Sequence, residues 1–198
     1  TGISNTIPHE YSSFKAYRLE NSIDHRVGDL TNYALTKELI NEVQPDYIFN
    51  LAAQALVGIS YKNPRETISN NLLVTLNILE ACRDYDKETK VIFITSDKVY
   101  KNHEWTWGYR EIDEIGGRDP YSASKGMCEL AIESYAKSFL FEKSNIKFAV
   151  ARAGNVIGGG DWSEGRIVPD IINAWENKNN LSIRSPNATR PWQHVLEP

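Results

Sequence analysis

The chain alternates between short apolar runs and longer stretches in which apolar residues recur every three or four positions. The short, strand-like runs lie at residues 47–51, 90–94 and 147–153. The longer, helix-like stretches lie at residues 33–43, 64–84 and 121–141. Such an alternation of strands and helices predicts a parallel sheet with helices packed on its faces.

Weaker signals surround this central pattern. Residues 1–4 suit the end of a strand, residues 8–21 a loop with a short helix, and residues 23–28 a further short strand. The stretch 100–120 predicts a long loop, rich in aromatic residues, at the edge of the sheet. The two long helices each carry an apolar stripe that predicts a buried face, formed by Ile68, Leu72, Leu76 and Leu79 in the first and by Cys128, Ile132, Tyr135 and Phe139 in the second.

Composition narrows the classes of function. The 198 residues suit one substantial domain, or one domain and part of another, and a net charge of −4 gives no basic surface for nucleic acid. No apolar run approaches the ~20 residues of a membrane span, so we expect a soluble, cytoplasmic protein with no membrane partner. Cys82 and Cys128 fall within predicted helices, which favours buried thiols over a disulfide. Neither cysteine has the spacing of a metal ligand, and we expect no metal.

The first candidate for chemistry is the pentad Tyr-Ser-Ala-Ser-Lys at residues 121–125. Pro120 has the φ angle of a first helical turn, so Tyr121 starts a helix and Lys125 lies one turn further along the same face. An ammonium beside a phenol favours the phenolate, and a tyrosine, with an ordinary pKa of about 10, needs that help to act as a base near neutral pH. Such a tyrosine removes a proton from a sugar or alcohol hydroxyl. Taken alone, however, a tyrosine and a lysine at this spacing are more often an ordinary surface pair.

A second polar group, the tetrad Thr95, Ser96, Asp97 and Lys98, follows the apolar run at 90–94. In open parallel sheets, ligands bind at the carboxyl ends of the strands, which is where the tetrad lies. Its hydroxyl, carboxylate and ammonium groups are suited to acid, base and hydrogen-bonding roles. The alternative is a polar turn that caps the strand. Together, the tetrad and the pentad predict an active site.

With these motifs the sequence resembles the extended short-chain dehydrogenase/reductase superfamily and, within it, the CDP-glucose 4,6-dehydratases. That superfamily carries Tyr-x-x-x-Lys with an upstream Ser or Thr, and its dehydratases typically have Asp-Glu where this chain has Asp97-Lys98. Lys98 at this place points to the CDP-glucose branch. Further stretches that carry the resemblance are residues 50–54, 107–111, 151–162 and 190–195.

The resemblance implies a Rossmann-like doubly wound parallel sheet, with an NAD-binding domain at residues 1–153 and part of a smaller nucleotide-sugar-binding region at residues 154–198. The sequence has no Gly-x-x-Gly-x-x-Gly turn for a pyrophosphate, so we expect the first strand, that turn and the first helix to precede Thr1 and interpret the sequence as an internal fragment. Asp29 suits a cofactor contact and equally a turn or cap. The cofactor contacts that the resemblance implies are Ser4, Asp29, Leu30, Leu51, Ala52, Ala53, Asn71, Thr95, Tyr121, Lys125 and Ala153.

The implied activity is that of an NAD-dependent hydro-lyase, which converts CDP-glucose to CDP-4-dehydro-6-deoxyglucose in O-antigen biosynthesis. In this scheme Tyr121 and Lys125 act at the 4-hydroxyl with Ser96, while Asp97 is the acid and Lys98 the base of the elimination. The implied substrate contacts are Asn155, Trp162, Arg166, Arg190 and Trp192.

Several alternatives stay open at this point. The two long helices form a dimer interface in many relatives, which implies a homodimer or homotetramer, and a plain core face is the other explanation of their stripes. The activity could instead be that of another nucleotide-sugar dehydratase or of a 4-epimerase. A third possibility is a non-catalytic fragment that binds dinucleotide or sugar.

Overall fold

A computed structural model describes residues 1–7, 10–143 and 145–198. Its strands are β1 (Gly2–Ser4), β2 (His25–Val27), β3 (Tyr47–Asn50), β4 (Thr89–Ile94), β5 (Ile146–Ala151), β6 (Asn155–Ile157) and β7 (Trp192–His194). Its α-helices are α1 (Ser13–Ala16), α2 (Tyr33–Val43), α3 (Val57–Lys62), α4 (Pro64–Arg83), α5 (Pro120–Tyr135) and α6 (Ile167–Glu176). The named strands pair in parallel, which confirms the predicted α/β class.

The chain forms two compact units. One consists of Thr1–Val27 together with Gly154–Pro198, and the other of Gly28–Ala153. We call them the split unit and the central unit. The sequence-based assignment of residues 1–153 to an NAD-binding domain stays a prediction.

In the central unit, β4 lies between β3 and β5 and is parallel to both. Alternate residues of β4 are buried, including Val91 and Phe93, because successive side chains of a strand point to opposite faces. Helices α4 and α5 pack against each other, and α2 packs against α4. The core is formed by Ile40, Val74, Ile78, Leu79, Ala81, Cys82, Tyr85, Val91, Phe93, Ile132, Leu140 and Ile146.

The buried face of α4 is more polar than the sequence pattern predicts. Of the predicted apolar stripe, Leu79 is buried, whereas Ile68, Leu72 and Leu76 are half-buried. Thr67, Asn71 and Thr75 are buried as well. Their side chains make hydrogen bonds to Gln54, Ser124 and the backbone, which removes the usual cost of burying polar groups.

The helix predicted at residues 121–141 changes its geometry near the end. Cys128 and Ile132 are buried as predicted, but a π-helical turn at Ala136–Leu140 follows α5. A π-helical turn holds more residues than an α-helical one, so it shifts the register of the positions after it. Leu140 therefore enters the core, while Phe139, which the stripe predicted, is 45% exposed.

Both cysteines are free and buried, as predicted. Burial raises the pKa of the Cys82 thiol to about 12, so this thiol stays protonated and unreactive near neutral pH. Among the helices of the described residues, none has the length and apolarity required to cross a membrane.

In the split unit, β1 pairs with β2 and β6 pairs with β7. The predicted short helix is α1, although residues 8 and 9 of the predicted 8–21 segment lie outside the described residues. The hydroxyl of Ser13 donates to the carbonyl oxygen of Gly159 at 2.8 Å. Gly160 adopts a φ of +83° beside Ser13, where a side chain would meet the Ser13 backbone.

Candidate active site

The tetrad lies at the carboxyl end of β4 and is tied to the residues that follow β5. The amide of Thr95 donates to the carbonyl of Ala151, and that of Asp97 to the carbonyl of Ala153, each at 2.9 Å. Thr95 and Ser96 are buried. Ser96 also caps a 3₁₀ turn at Asp97–Val99, because its hydroxyl accepts a hydrogen bond from the amide of Lys98. The tetrad thus makes a strand-capping turn, as the alternative interpretation required, and also brings chemical groups to the sheet edge.

Three side chains of the tetrad form a continuous polar chain. The Ser96 hydroxyl donates to Asp97 Oδ1 at 3.1 Å, and Lys98 Nζ lies 3.5 Å from the same oxygen. The side chains of Asp97 and Lys98 are about a third exposed, at 29% and 32%. A hydroxyl, a carboxylate and an ammonium are therefore adjacent, and the carboxylate and the ammonium are partly exposed.

The pentad forms the first turns of α5, as its sequence predicts. Asp119 caps the helix by accepting hydrogen bonds from the amide and the hydroxyl of Ser122, and Pro120 occupies the first helical position. The helix packs against the 3₁₀ turn at Asp97–Val99. Tyr121 and Lys125 are 8% and 7% exposed, so they are not an ordinary surface pair.

Lys125 reaches from α5 to the end of β4, where its ammonium donates to the carbonyl of Ile94 at 3.1 Å. Burial lowers the pKa of Lys125 below its ordinary value, and the nearby Cys128 and Glu129 partly oppose that effect. A buried lysine with a lowered pKa close to a strand end is typical of functional sites.

The sequence interpretation missed Glu129, which lies one turn beyond Lys125. It is 6% exposed and accepts hydrogen bonds from Thr95 and Arg152. Its spacing was a usable signal, since residues 121, 125 and 129 lie on one face of a helix.

Several candidate cofactor residues lie near the end of β3. Ala52 and Ala53 are half-buried, whereas Leu51 is 69% exposed. The amide nitrogen of Asn71 donates to the Gln54 carbonyl at 3.1 Å and to the Ser124 hydroxyl at 2.8 Å. Because both amide protons of Asn71 are used in this way, the residue joins the segment after β3 to α5.

Asp29, Leu30 and Ser4, which are also candidate cofactor residues, each have a hydrogen-bond partner within the chain. Asp29 Oδ1 accepts from the amide of Thr31 at 2.9 Å, which is the turn role that the sequence allowed, and Asn32 caps α2. The carbonyl of Leu30 accepts a hydrogen bond from the Asn77 side chain. Ser4 belongs to the split unit, where its hydroxyl lies 3.0 Å from His25 Nε2.

The five candidate substrate residues all belong to the split unit. Pairing of β6 with β7 places Asn155 opposite Trp192, and Asn155 Oδ1 is buried without a hydrogen-bond partner among the described residues. Trp162 packs against Tyr11 with ring centres 6.2 Å apart. Arg166 lies 3.5 Å from Asp161, and the exposed Arg190 donates to the carbonyl of Thr189.

The long loop predicted at residues 100–120 contains an aromatic stack, which we define as Tyr100, His103, Trp105, Trp107 and Tyr109. Tyr109 lies 5.0 Å from both Tyr100 and Trp105, and Trp105 lies 5.2 Å from Trp107, measured between ring centres. The backbone of the loop is held by hydrogen bonds from the amide of Gly116 to the Val99 carbonyl and from the amide of Lys101 to the Glu114 carbonyl. The two ends of the loop are therefore tied to each other by backbone hydrogen bonds.

Known proteins resemble this chain along almost all of its length. Residues 5–197 match the family model of GDP-mannose 4,6 dehydratase. The chain is 44% identical to the CDP-glucose 4,6-dehydratase of Salmonella typhimurium over 197 residues, which make up 98% of this chain and 54% of that protein. The chain thus spans about half the length of the curated relative.

Solved structures share the fold. A UDP-glucose 4-epimerase of Thermotoga maritima, solved with UDP-glucose, has a TM-score of 0.81 at 23% identity, covering 98% of this chain and 60% of its own. A double mutant of DesIV, a dTDP-glucose 4,6-dehydratase of Streptomyces venezuelae, solved with NAD bound, has a TM-score of 0.81 at 18% identity, covering 97% of this chain and 57% of its own. These likenesses confirm the Rossmann-like fold. Because the family match extends across both the tetrad and the pentad, the chain belongs to the GDP-mannose 4,6 dehydratase family.

Proposed function

We propose that the complete protein containing this chain is a nucleotide-sugar 4,6-dehydratase, which converts CDP-glucose to CDP-4-dehydro-6-deoxyglucose. One observation carries the proposal: the side chains of Ser96, Asp97 and Lys98 form a polar chain beside the helix that holds Tyr121 and Lys125. The 44% identity to a CDP-glucose 4,6-dehydratase supports the choice of substrate.

The donor set at this edge of the sheet suits NAD as the cofactor. The described residues give the buried ammonium of Lys125 one hydrogen-bond acceptor, Ile94, so it has protons to offer a ribose hydroxyl. Ala52 and Ala53 follow β3 at the same edge, and their small side chains let a flat ligand approach the backbone. When bound, NAD supplies a reversible hydride acceptor, so the overall reaction is a dehydration without net oxidation.

Tyr121 and Ser96 act at the 4-hydroxyl of the sugar in this proposal. Tyr121 removes the hydroxyl proton, and the Ser96 hydroxyl donates a hydrogen bond to the C4 oxygen. The ammonium of Lys125 favours the phenolate of Tyr121 from one turn further along α5. The resulting 4-ketone acidifies the proton at C5, which prepares the elimination.

Asp97 and Lys98 supply the acid and the base for loss of water. Transfer of one proton from the Lys98 ammonium to the Asp97 carboxylate, whose nearest atoms lie 3.5 Å apart, gives a neutral amine and a carboxylic acid. The amine takes the C5 proton, and the acid protonates the departing 6-hydroxyl, which leaves as water. Lys98 is then again an ammonium and Asp97 a carboxylate, so the pair returns to its starting charge.

The split unit, taken by itself, carries groups that suit a nucleotide. The guanidinium groups of Arg166 and Arg190 suit a diphosphate, and the faces of Trp162 and Trp192 suit a pyrimidine. Asn155 has a buried oxygen without a partner among the described residues, which suits a hydroxyl donor on the substrate.

We further propose a homodimer formed through α4 and α5, or a homotetramer built from it. Leu73 on α4 and Met127 and Leu130 on α5 are 42%, 40% and 56% exposed, and these apolar side chains gain from burial against a second copy. The biological setting that fits this reaction is O-antigen deoxysugar synthesis in the cytoplasm.

The test incubates the complete protein with CDP-glucose and NAD and measures the alkaline absorbance of a 4-keto-6-deoxy sugar. We expect product with the natural sequence and with Lys101→Met, which removes an exposed lysine paired with Glu114, and little product with Lys98→Met. A folded protein that forms no such product from CDP-glucose contradicts the proposal. Product from another nucleotide sugar, and none from CDP-glucose, would make that other sugar the substrate. A C4 epimer without alkaline absorbance favours an epimerase. NAD binding without turnover of any nucleotide sugar favours a binding protein.

A further inference from the structure

Glu129 is a buried carboxylate on α5 that the roles proposed above do not use. Its Oε1 accepts a hydrogen bond from the Thr95 hydroxyl at 2.6 Å. Arg152 Nε donates to both carboxylate oxygens at 3.0 Å, and Arg152 Nη2 donates to Oε2 at 2.5 Å. Thr95 follows β4 and Arg152 follows β5. The carboxylate therefore joins α5 to two strand ends at once.

Arg152 extends this connection into the long loop. Its Nη1 donates to the carbonyl oxygen of Glu111 at 3.2 Å. Its guanidinium carbon lies 4.6 Å from the ring centre of Tyr100, which is a cation–π contact with the first member of the aromatic stack. A continuous line of contacts thus runs from Glu129 to the loop.

The chemistry of this ion pair indicates that it fixes the orientation of the groups it joins, and does not serve only to stabilise the fold. A carboxylate that is 6% exposed is costly unless it is paired and hydrogen-bonded, and Glu129 has both kinds of partner. Hydrogen bonding to Glu129 raises the pKa of Arg152 above its ordinary value. Apolar side chains of similar volume often stabilise a fold as well or better. What the guanidinium fork adds is a defined orientation, because two N–H groups face two carboxylate oxygens.

We propose that Glu129 and Arg152 form a positioning pair for the dehydratase chemistry, an inference that rests on the function proposed above. Through Thr95 the pair fixes the residue that precedes Ser96. Through α5 it fixes the helix turn that carries Lys125. Through Glu111 and Tyr100 it holds the loop that borders the site. In this proposal both side chains act through neighbouring residues, and neither is assigned a contact with the reacting atoms.

The test compares Glu129→Gln, Glu129→Asp and the matched control Glu133→Gln in the complete protein. Glu133 lies on the same helix in an exposed ion pair with Lys137. We expect Glu129→Gln to lower kcat by about 10- to 100-fold, because small displacements of catalytic groups are this costly. The KM for CDP-glucose and the Kd for NAD should change little, Glu129→Asp should recover part of kcat, and Glu133→Gln should match the natural sequence.

Hydrogen exchange of the amides of residues 95–118 provides a readout that does not depend on turnover. We expect faster exchange in Glu129→Gln and natural exchange in Glu133→Gln, because only the first substitution releases the strand end and the loop. If Glu129→Gln does not fold, Arg152→Lys carries the same test, since it keeps the charge and loses the fork.

The proposal is overturned if folded Glu129→Gln has the same amide exchange rates and the same kcat as the natural sequence. An equal loss of kcat and of affinity for both ligands would overturn it as well, because that pattern indicates a general loss of structure. If the natural sequence forms no product from CDP-glucose, the proposed function fails, and the exchange comparison alone decides whether Glu129 and Arg152 hold these segments.

Discussion

Gly117 offers a direct test of how closely the long loop must lie on the start of α5. A Cβ atom placed on Gly117 would lie 2.7 Å from the Cα of Ala123, and closer still to the Ala123 nitrogen and the Ser122 carbonyl carbon. Non-bonded carbon atoms rest about 3.5 to 4 Å apart, so Gly117→Ala requires a shift of roughly 1 Å between loop and helix. This first turn of the helix also carries Tyr121.

The shift gives two expected magnitudes. Overpacking of this kind costs about 1 to 3 kcal/mol in the free energy of unfolding. A misplacement of about 1 Å near a catalytic group costs about 100-fold in rate. We therefore expect Gly117→Ala to lower both the unfolding free energy in a denaturant titration and kcat for CDP-glucose in the complete protein.

Gly108 provides the matched control within the same loop. A Cβ atom placed there has no heavy atom within 4 Å, and Gly108, like Gly117, does not have a positive φ. Gly108→Ala should therefore leave both quantities close to those of the natural sequence. Equal behaviour of the two alanine variants would refute the reasoning that close packing of the loop on α5 supports the site.

Three further predictions concern single side chains. Lys98→Ala should lower the rate of water elimination by about 100-fold or more while leaving CDP-glucose binding intact, because it removes a general base; a natural elimination rate in a single-turnover assay would exclude that role. Lys125→Met should abolish turnover and raise the unfolding free energy at neutral pH, because burial lowers the pKa of Lys125 and so disfavours its ammonium in the folded state. Between that lowered pKa and the ordinary value of 10.5, the unfolded natural chain binds more protons than the folded one, so the natural sequence gains stability as the pH rises. The difference in unfolding free energy between Lys125→Met and the natural sequence should therefore shrink over this pH range. A difference that stays constant in denaturant titrations up to about pH 10 would contradict this linkage. Asn71→Ala should lower the unfolding free energy by about 1 to 3 kcal/mol, because it removes the hydrogen bonds of the buried Asn71 side chain to the Ser124 hydroxyl and to the backbone of Gln54. Asn70→Ala, one position earlier on α4, serves as the half-buried control.

The strands and helices of the central pattern and the two candidate motifs were accessible from the sequence because their signals are local, whereas α3, α6, β6 and β7 were not predicted. The helix predicted at residues 33–43 is α2 at Tyr33–Val43, and the helix predicted at 64–84 is α4 at Pro64–Arg83. Their apolar spacing, the capping Asn32 and the leading Pro64 all lie within or beside the helices. The pentad and the tetrad are likewise contiguous, so their chemistry could be inferred before any packing was known.

The pairing of distant residues was decided by the tertiary structure. The contact between Glu129 and Arg152 joins positions 23 residues apart, and its partner Thr95 lies 34 residues before Glu129. The buried polar residues of α4 likewise have partners far away in the sequence, Gln54 and Ser124. The apolar pattern of the helix therefore predicted only some of its buried positions. The π-helical turn, after which Leu140 and not Phe139 lies in the core, was also not predicted by the apolar pattern.

Local sequence thus determined the helices and strands of the central pattern and the polar residues that follow β4. Only the fold determined which polar groups are buried together, because the cost of burying a carboxylate or an amide depends on partners that the chain supplies from elsewhere. The close approach of the loop to α5 at Gly117 has the same origin, since the steric demand arises from atoms of a different segment.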